Sequence, residues 1–154
     1  AEQILKTLGA EHGDGSWKGG RQVAVQALGK LGLDPGSYVL DDGCGLSRSD
    51  RAAPRAITDL LAAMHRDPNG DLFRQTLSVA GVDGTLAKRL TEEIYRSHVW
   101  GKTGSITGVR AISGYVETRA GELLAFSFLV NNPRASIRTI QDNFCKALVD
   151  SHEK

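Results

Sequence analysis

A change of hydrophobic pattern near residue 97 places the strongest constraint on the fold of this chain. Over Val99–Asn131, β-branched and aromatic residues dominate and no long helical stripe remains. We expect three strands here, at roughly 97–106, 109–118 and 122–131. Leu123–Val130 is nearly all apolar, which is typical of a strand that is covered on both faces and lies centrally in a sheet. Arg119-Ala120-Gly121 predicts a tight hairpin between the last two strands.

Residues 1 to about 97 have a different hydrophobic pattern, in which short apolar stripes at helical spacing are separated by glycine and proline. Gly9 and Gly13 are predicted stop signals of the first helix, and Thr85 is placed to N-cap a segment that carries Leu86, Leu90 and Ile94. Helical spacing returns from Ile137 and predicts a C-terminal helix that packs on the sheet. The pattern therefore indicates a chain that combines short helices, a sheet and a C-terminal helix.

Composition excludes several classes of protein. The chain has 154 residues, enough for one domain or a piece of one. Its net charge is +1, from 19 basic and 18 acidic residues, so no basic excess points to nucleic acid. No apolar run approaches the roughly 20 residues of a membrane span. Cys44 and Cys145 lack CxxC spacing, and no histidine has the spacing of a metal site. These spacings predict no metal site.

The segment Gly101-Lys102-Thr103-Gly104-Ser105 lies in the first predicted strand and carries the most distinctive chemistry. A small residue on each side of Lys102-Thr103 lets another backbone or a ligand come close to the strand. A cation, a hydroxyl and backbone donors would then face an extended substrate that ends in a carboxylate. The alternative is a surface lysine in an ordinary strand.

A second segment, Asp41 to Arg48, places glycines on both sides of Cys44 and predicts a sharply turned loop. A nucleophilic thiolate needs a base or an electropositive setting, and no histidine is near Cys44 in the sequence. We therefore interpret Cys44 as a small buried packing residue and not as a nucleophile.

Four ordered blocks carry a family resemblance. They are Asp42-Gly43-Cys44-Gly45-Leu46-Ser47-Arg48, Ala80-Gly81-Val82-Asp83-Gly84-Thr85-Leu86, Gly101 to Val109, and Ser113-Gly114-Tyr115-Val116. Together they resemble the C-terminal part of the D-alanyl-D-alanine carboxypeptidases/endopeptidases, the low-molecular-mass class C penicillin-binding proteins of peptidase family S13. The chain departs from the family at three positions. Cys44 stands where the family usually has Ser, Gly101 where it often has Ala, and Ser105 where Thr is common.

The resemblance implies a function and a site. The fold would be the α/β fold, of the α+β type, of the penicillin-binding proteins and serine β-lactamases. It has an antiparallel sheet flanked by helices, and three of its strands would lie in this chain. Lys102 and Ser105 would be catalytic, and Lys102, Thr103, Gly104 and Ser105 would bind substrate, without metal or cofactor. The partners implied are peptidoglycan stem peptides ending in D-Ala-D-Ala, β-lactams and the N-terminal portion of the same protein, but no nucleic acid. The location implied is the periplasm or another extracytoplasmic part of the cell envelope.

Two further motifs of that family are missing. Ser-x-x-Lys occurs only at Ser151–Lys154, after Lys-Thr-Gly, and Ser-x-Asn does not occur. We expect residues 1–154 to be the C-terminal portion of one penicillin-recognising peptidase domain, without the nucleophile and the N-terminal strands. Such a chain should be inactive alone, and the unpaired edge of the strand at 122–131 could support a homo-oligomer. The alternative is a non-catalytic module that binds peptidoglycan peptides or serves as an interaction module.

Overall fold

The computed structural model describes residues 1–151, which fall into two compact units, Ala1–Ala63 and the residues from Met64 onward. The helices are α1 (Glu2–His12), α2 (Trp17–Lys30), α3 (Pro54–Arg66), α4 (Gly70–Gln75) and α5 (Arg138–Val149). The strands are β1 (Tyr38–Val39), β2 (Arg51–Ala52), β3 (Ser78–Val79), β4 (Val99–Ile106), β5 (Val109–Glu117) and β6 (Leu123–Asn131). Within these residues, none of the helices combines the length and apolar character that crossing a membrane requires.

The first unit contains an α1–α2 helical hairpin in which the two backbones approach closely. A Cβ atom at Gly20 would lie 2.1 Å from the carbonyl oxygen of Leu5, so only glycine fits there. Gly9 makes a similar approach, and a Cβ atom on it would lie 2.6 Å from the carbonyl oxygen of Ser16. Of the two predicted stop signals, Gly13 is confirmed, because α1 continues to His12 and Gly13 caps it. Gly9 does not end the helix, and close packing against α2 explains this glycine.

The second unit contains a four-stranded antiparallel sheet in the order β3-β4-β5-β6. The three predicted strands are confirmed, and so is the hairpin, where the Gly121 N–H donates to the Thr118 carbonyl oxygen at 2.9 Å. β3 was not predicted, because two residues are too few to show a period. Among the described residues β6 pairs only with β5, so it lies at the end of the sheet. The expected coverage of both faces is not found there, since Phe126 is buried and its neighbours in β6 are half-buried or exposed.

The core of the second unit lies between the sheet and α5, as the sequence predicts. Cys145 and Val149 of α5 are fully buried together with Ile112 and Val116 of β5. On the same helix, Phe144 packs its ring against the aromatic rings of β6 at centroid distances of 6.0 and 5.2 Å. Burial of these side chains is the main stabilising contribution to this unit.

The segment between β3 and β4 corrects one prediction. No helix extends from Thr85 to Ile94; a single 3-10 turn spans Gly84–Leu86. Leu90 has a φ of 52°, in the left-handed region that interrupts a helix. Leu86 and Leu90 are still buried in the core, so their helical spacing in the sequence reflects burial and not a helix.

Candidate functional site

The Lys-Thr-Gly segment lies on β4, in a part of the strand that is paired on one side only. Its residues from Lys102 to Ser105 face Ser113 to Arg110 of β5 in antiparallel register. On the other side, β3 reaches only as far as Trp100 and Gly101. Among the described residues, the outer edge of β4 from residue 102 onward therefore has no strand partner. Such an edge offers backbone groups to an extended peptide.

Lys102 is exposed and carries the charge of this edge. Its Nζ atom donates to the backbone carbonyl oxygen of Thr103 at 2.5 Å. Across residues 1–151, no carboxylate forms an ion pair with it. The ammonium group can therefore bind an anionic ligand without first breaking an ion pair.

The two hydroxyl residues of the segment alternate with Lys102 along the strand. Thr103 and Ser105 point to the same face of the sheet, because side chains two positions apart do so. Thr103 is half-buried, and its Oγ1 atom donates to Oγ1 of Thr85 at 3.0 Å. Ser105 is exposed. This face thus presents the two hydroxyl groups, while the Lys102 side chain starts from the other face and its ammonium group reaches the backbone of Thr103.

The two glycines of the segment have different surroundings. Gly101 is buried, and a Cβ atom there would lie 3.4 Å from the Leu86 side chain, so packing accounts for this position. Gly104 is exposed, and a Cβ atom there would meet only Ala111, at 3.2 Å. Only Gly104 therefore has the open surroundings expected where a ligand approaches the strand.

Thr85 is the residue of this site that sequence reasoning missed. The pattern assigned its hydroxyl to a helix N-cap, whereas the structure places that hydroxyl against Thr103. The only signal was its position in the block from Ala80 to Leu86, which does not indicate the contact.

The loop around Asp42 belongs to the first unit and is the predicted sharp turn. The Asp42 carboxylate accepts backbone N–H bonds from residues 44 to 47 at 2.5 to 3.0 Å. Burial raises the pKa of this carboxyl, but the N–H donors of Gly45, Ser47 and Leu46 outweigh it and lower the pKa to about 2. The carboxylate thus acts as the internal anchor of the loop.

Cys44 corrects a second prediction, since it is exposed and not a buried packing residue. The Leu46 N–H lowers the pKa of its thiol, but desolvation and the contact with the Asp42 carboxylate, 3.5 Å away, raise it overall. A thiol with a raised pKa is a poor nucleophile at neutral pH. Both Cys44 and Cys145 are free.

Glu2, Asp42 and Cys44 bring potential metal-ligand atoms within 4.8 Å of one another. Their oxygen atoms are already engaged, because Glu2 accepts from the Gly43 N–H at 2.5 Å and Asp42 holds its own loop. We assign no metal to this group. The Ser-x-x-Lys match at the C-terminus lies outside the described residues, apart from Ser151 itself.

Comparison with known proteins gives a consistent result. The model of the family described as D-Ala-D-Ala carboxypeptidase 3 (S13) matches residues 1–150. The D-alanyl-D-alanine carboxypeptidase of Actinomadura sp. is 41% identical over 138 residues, which are 86% of this chain and 25% of that protein. The chain therefore spans about a quarter of the length of this curated relative.

Two solved structures have the same fold over most of the chain. Penicillin binding protein 4 (dacB) from Haemophilus influenzae matches with a TM-score of 0.79 and 28% identity, over 87% of this chain and 32% of that one. The same protein in complex with a novel β-lactam matches with a TM-score of 0.83 and 24% identity, over 98% and 38%. The described residues thus form part of a penicillin-binding-protein fold, as the sequence predicted.

Proposed function

The chain belongs to the D-Ala-D-Ala carboxypeptidase 3 (S13) family, and we propose that it is the part of a serine-type D-Ala-D-Ala carboxypeptidase/endopeptidase that carries the carboxylate-binding strand. The observation that carries the proposal is β4, where Lys-Thr-Gly lies on a strand edge without a partner strand in the described part of the chain. The cation of this segment is also free of any acidic partner there.

The substrate of the proposed site is a peptidoglycan stem peptide ending in D-Ala-D-Ala. The terminal carboxylate is held by the hydroxyls of Thr103 and Ser105, which share one face of β4. Hydrogen bonds to an ionised acceptor are about twice as strong as neutral ones, so two hydroxyl donors give a useful binding contribution. The extended peptide lies along the open edge of the strand.

The reaction is acyl transfer in two steps. A serine of the longer protein attacks the carbonyl carbon of the D-Ala-D-Ala bond and releases the terminal D-Ala, and water then hydrolyses the acyl-serine ester. The Ser105 N–H is one donor to the oxyanion, and the N–H of the nucleophilic serine is the other. Lys102 provides a positive field and helps to order proton transfer at the serine of the Ser-x-Asn motif, while Gly104 lets β4 pass close to the nucleophile.

The β-lactams are further ligands of the proposed site, because their amide carbonyl and carboxylate mimic the scissile peptide. The complex of penicillin binding protein 4 with a β-lactam supports this for a protein of the same fold. The peptidoglycan substrate places the proposed enzyme in the extracytoplasmic cell envelope.

The direct test uses the longer protein that contains this chain. Incubation with a penicillin should give one acyl adduct by intact mass, on a serine outside residues 1–154, and a peptide ending in D-Ala-D-Ala should lose its terminal D-Ala. The adduct and the activity should disappear together when that serine is replaced by alanine. Absence of D-Ala release, or an adduct on a serine within this chain, would contradict the proposal.

A further inference from the structure

The contact between Thr85 and Thr103 joins the irregular segment before β4 to the Lys-Thr-Gly strand. The two Oγ1 atoms are 3.0 Å apart, and their residues are separated by 18 positions in the sequence. Thr85 is exposed and Thr103 is half-buried, so the pair lies at the surface where a ligand of β4 would bind.

Thr85 is held in a turn with little freedom to move. The Val79 N–H donates to Asp83 at 2.7 Å, and the Thr85 N–H donates to the Ser78 hydroxyl at 3.3 Å. Gly84 has a φ of +51°, and a Cβ atom there would lie 2.2 Å from the Ser78 hydroxyl oxygen, so the turn requires glycine. The next residue, Leu86, is fully buried and fixes the turn to the core.

The hydroxyl of Thr103 has one proton to donate and two lone pairs to accept with. Without a ligand, it donates that proton to Thr85. A carboxylate is a stronger acceptor than a neutral hydroxyl, so a bound carboxylate takes the Thr103 proton. The Thr85 hydroxyl then rotates and becomes the donor to the Thr103 oxygen. In two such consecutive hydrogen bonds each bond polarises the other, and the bond from Thr103 to the carboxylate is strengthened.

We propose that Thr85 is a positioning residue for the Thr103 hydroxyl, which it holds in place and, once the substrate carboxylate is bound, supports by donating a hydrogen bond to the Thr103 oxygen. This inference rests on the proposed function, because it requires that Thr103 binds a carboxylate. It adds a residue outside Lys-Thr-Gly to the determinants of carboxylate recognition.

The test compares acylation of the longer protein by a penicillin and by the methyl ester of the same penicillin, which lacks the anionic carboxylate. Thr85→Val removes the hydroxyl and keeps the shape of the side chain. It should lower the second-order acylation rate constant for the penicillin by about three- to tenfold, the value of one hydrogen bond, and leave the ester rate unchanged. Thr85→Ser should retain the wild-type ratio, and Thr91→Val, at an exposed threonine of the same segment, is the matched control.

A double-mutant cycle links the effect to Thr103. In a Thr103→Val background, Thr85→Val should cause no further loss, because the group it positions is gone. If Thr103→Val lowers the penicillin-to-ester ratio but Thr85→Val changes both rates equally or neither, the inference fails and the proposed function stands. If Thr103→Val itself leaves the ratio unchanged, the proposed function and this inference both fail. Should Thr85→Val not fold, the same ratios measured on Thr85→Ala decide the question.

Discussion

At the scale of single residues, the charge of Lys102 is the feature of the site that is simplest to test. In the longer protein, Lys102→Ala should slow acylation by a penicillin by about a hundredfold or more, the typical cost of losing a preorganised electrostatic contact. The melting temperature should change little, because Lys102 is exposed and forms no ion pair with the residues described.

Lys88→Ala is the matched control for that measurement, since Lys88 is an exposed lysine of the same unit that lies outside the Lys-Thr-Gly segment. It should leave both the acylation rate and the melting temperature unchanged. An unaltered acylation rate in Lys102→Ala would mean that the role assigned to Lys-Thr-Gly is wrong.

Asp42 gives a prediction about pH. Its pKa falls from an ordinary 3.8 to about 2 in the folded chain. A lowered pKa stabilises the fold above pH 3.8, and this contribution is lost as the pH falls through the folded value of about 2. Asp42→Asn should therefore lower the midpoint of urea unfolding at neutral pH, and this difference from the wild type should shrink progressively below pH 3.8.

Asp59→Asn, which removes only a surface ion pair, is the control and should have a much smaller effect on the unfolding midpoint. A deficit that does not vary with pH would contradict the anchoring role of the carboxylate.

At the scale of elements, β6 presents an apolar strand edge. It pairs only with β5 in the described part of the chain, and free N–H and C=O groups on an apolar edge favour pairing with another chain. We propose that the isolated chain self-associates through this edge. Size-exclusion chromatography with light scattering should show dimers or larger species whose fraction rises with concentration.

The self-association should persist in Cys44→Ser, which excludes a disulfide through the exposed thiol. A monomer at all concentrations would contradict the proposed role of the β6 edge. An oligomer that disappears in Cys44→Ser would instead assign the association to the thiol.

The long elements could be predicted from sequence, and the short ones could not. β4, β5 and β6 are long runs rich in β-branched and aromatic residues, and α5 buries residues at helical spacing, so both patterns are visible in the sequence. The two-residue strand β3 is too short to show a pattern. The spacing of Leu86 and Leu90 indicated a helix, but these side chains are buried without forming one. At the candidate site, Lys102 to Ser105 could be proposed from the sequence because they are contiguous. The partner of Thr103 was missed because the turn that places Thr85 depends on contacts with Ser78 and Asp83.

At the scale of the whole molecule, we propose that the chain is one part of a divided active site. Acyl transfer needs an activated nucleophile, and the only serine with a lysine three positions later is Ser151, near the end of the chain. Ser151 follows Lys-Thr-Gly in the sequence, whereas the family resemblance implies a Ser-x-x-Lys serine that precedes it. The chain should therefore supply the carboxylate-binding strand and no nucleophile.

The most direct measurement is labelling of the purified chain with a fluorescent penicillin, alone and after addition of the N-terminal portion of the longer protein. The chain alone should give no labelled band and no acyl mass adduct. The mixture should give an adduct on a serine of the added portion, and Lys102→Ala in this chain should weaken it. Stoichiometric labelling of the chain alone would contradict the account, and a modified Ser151 would identify the C-terminal Ser-x-x-Lys as the nucleophilic motif.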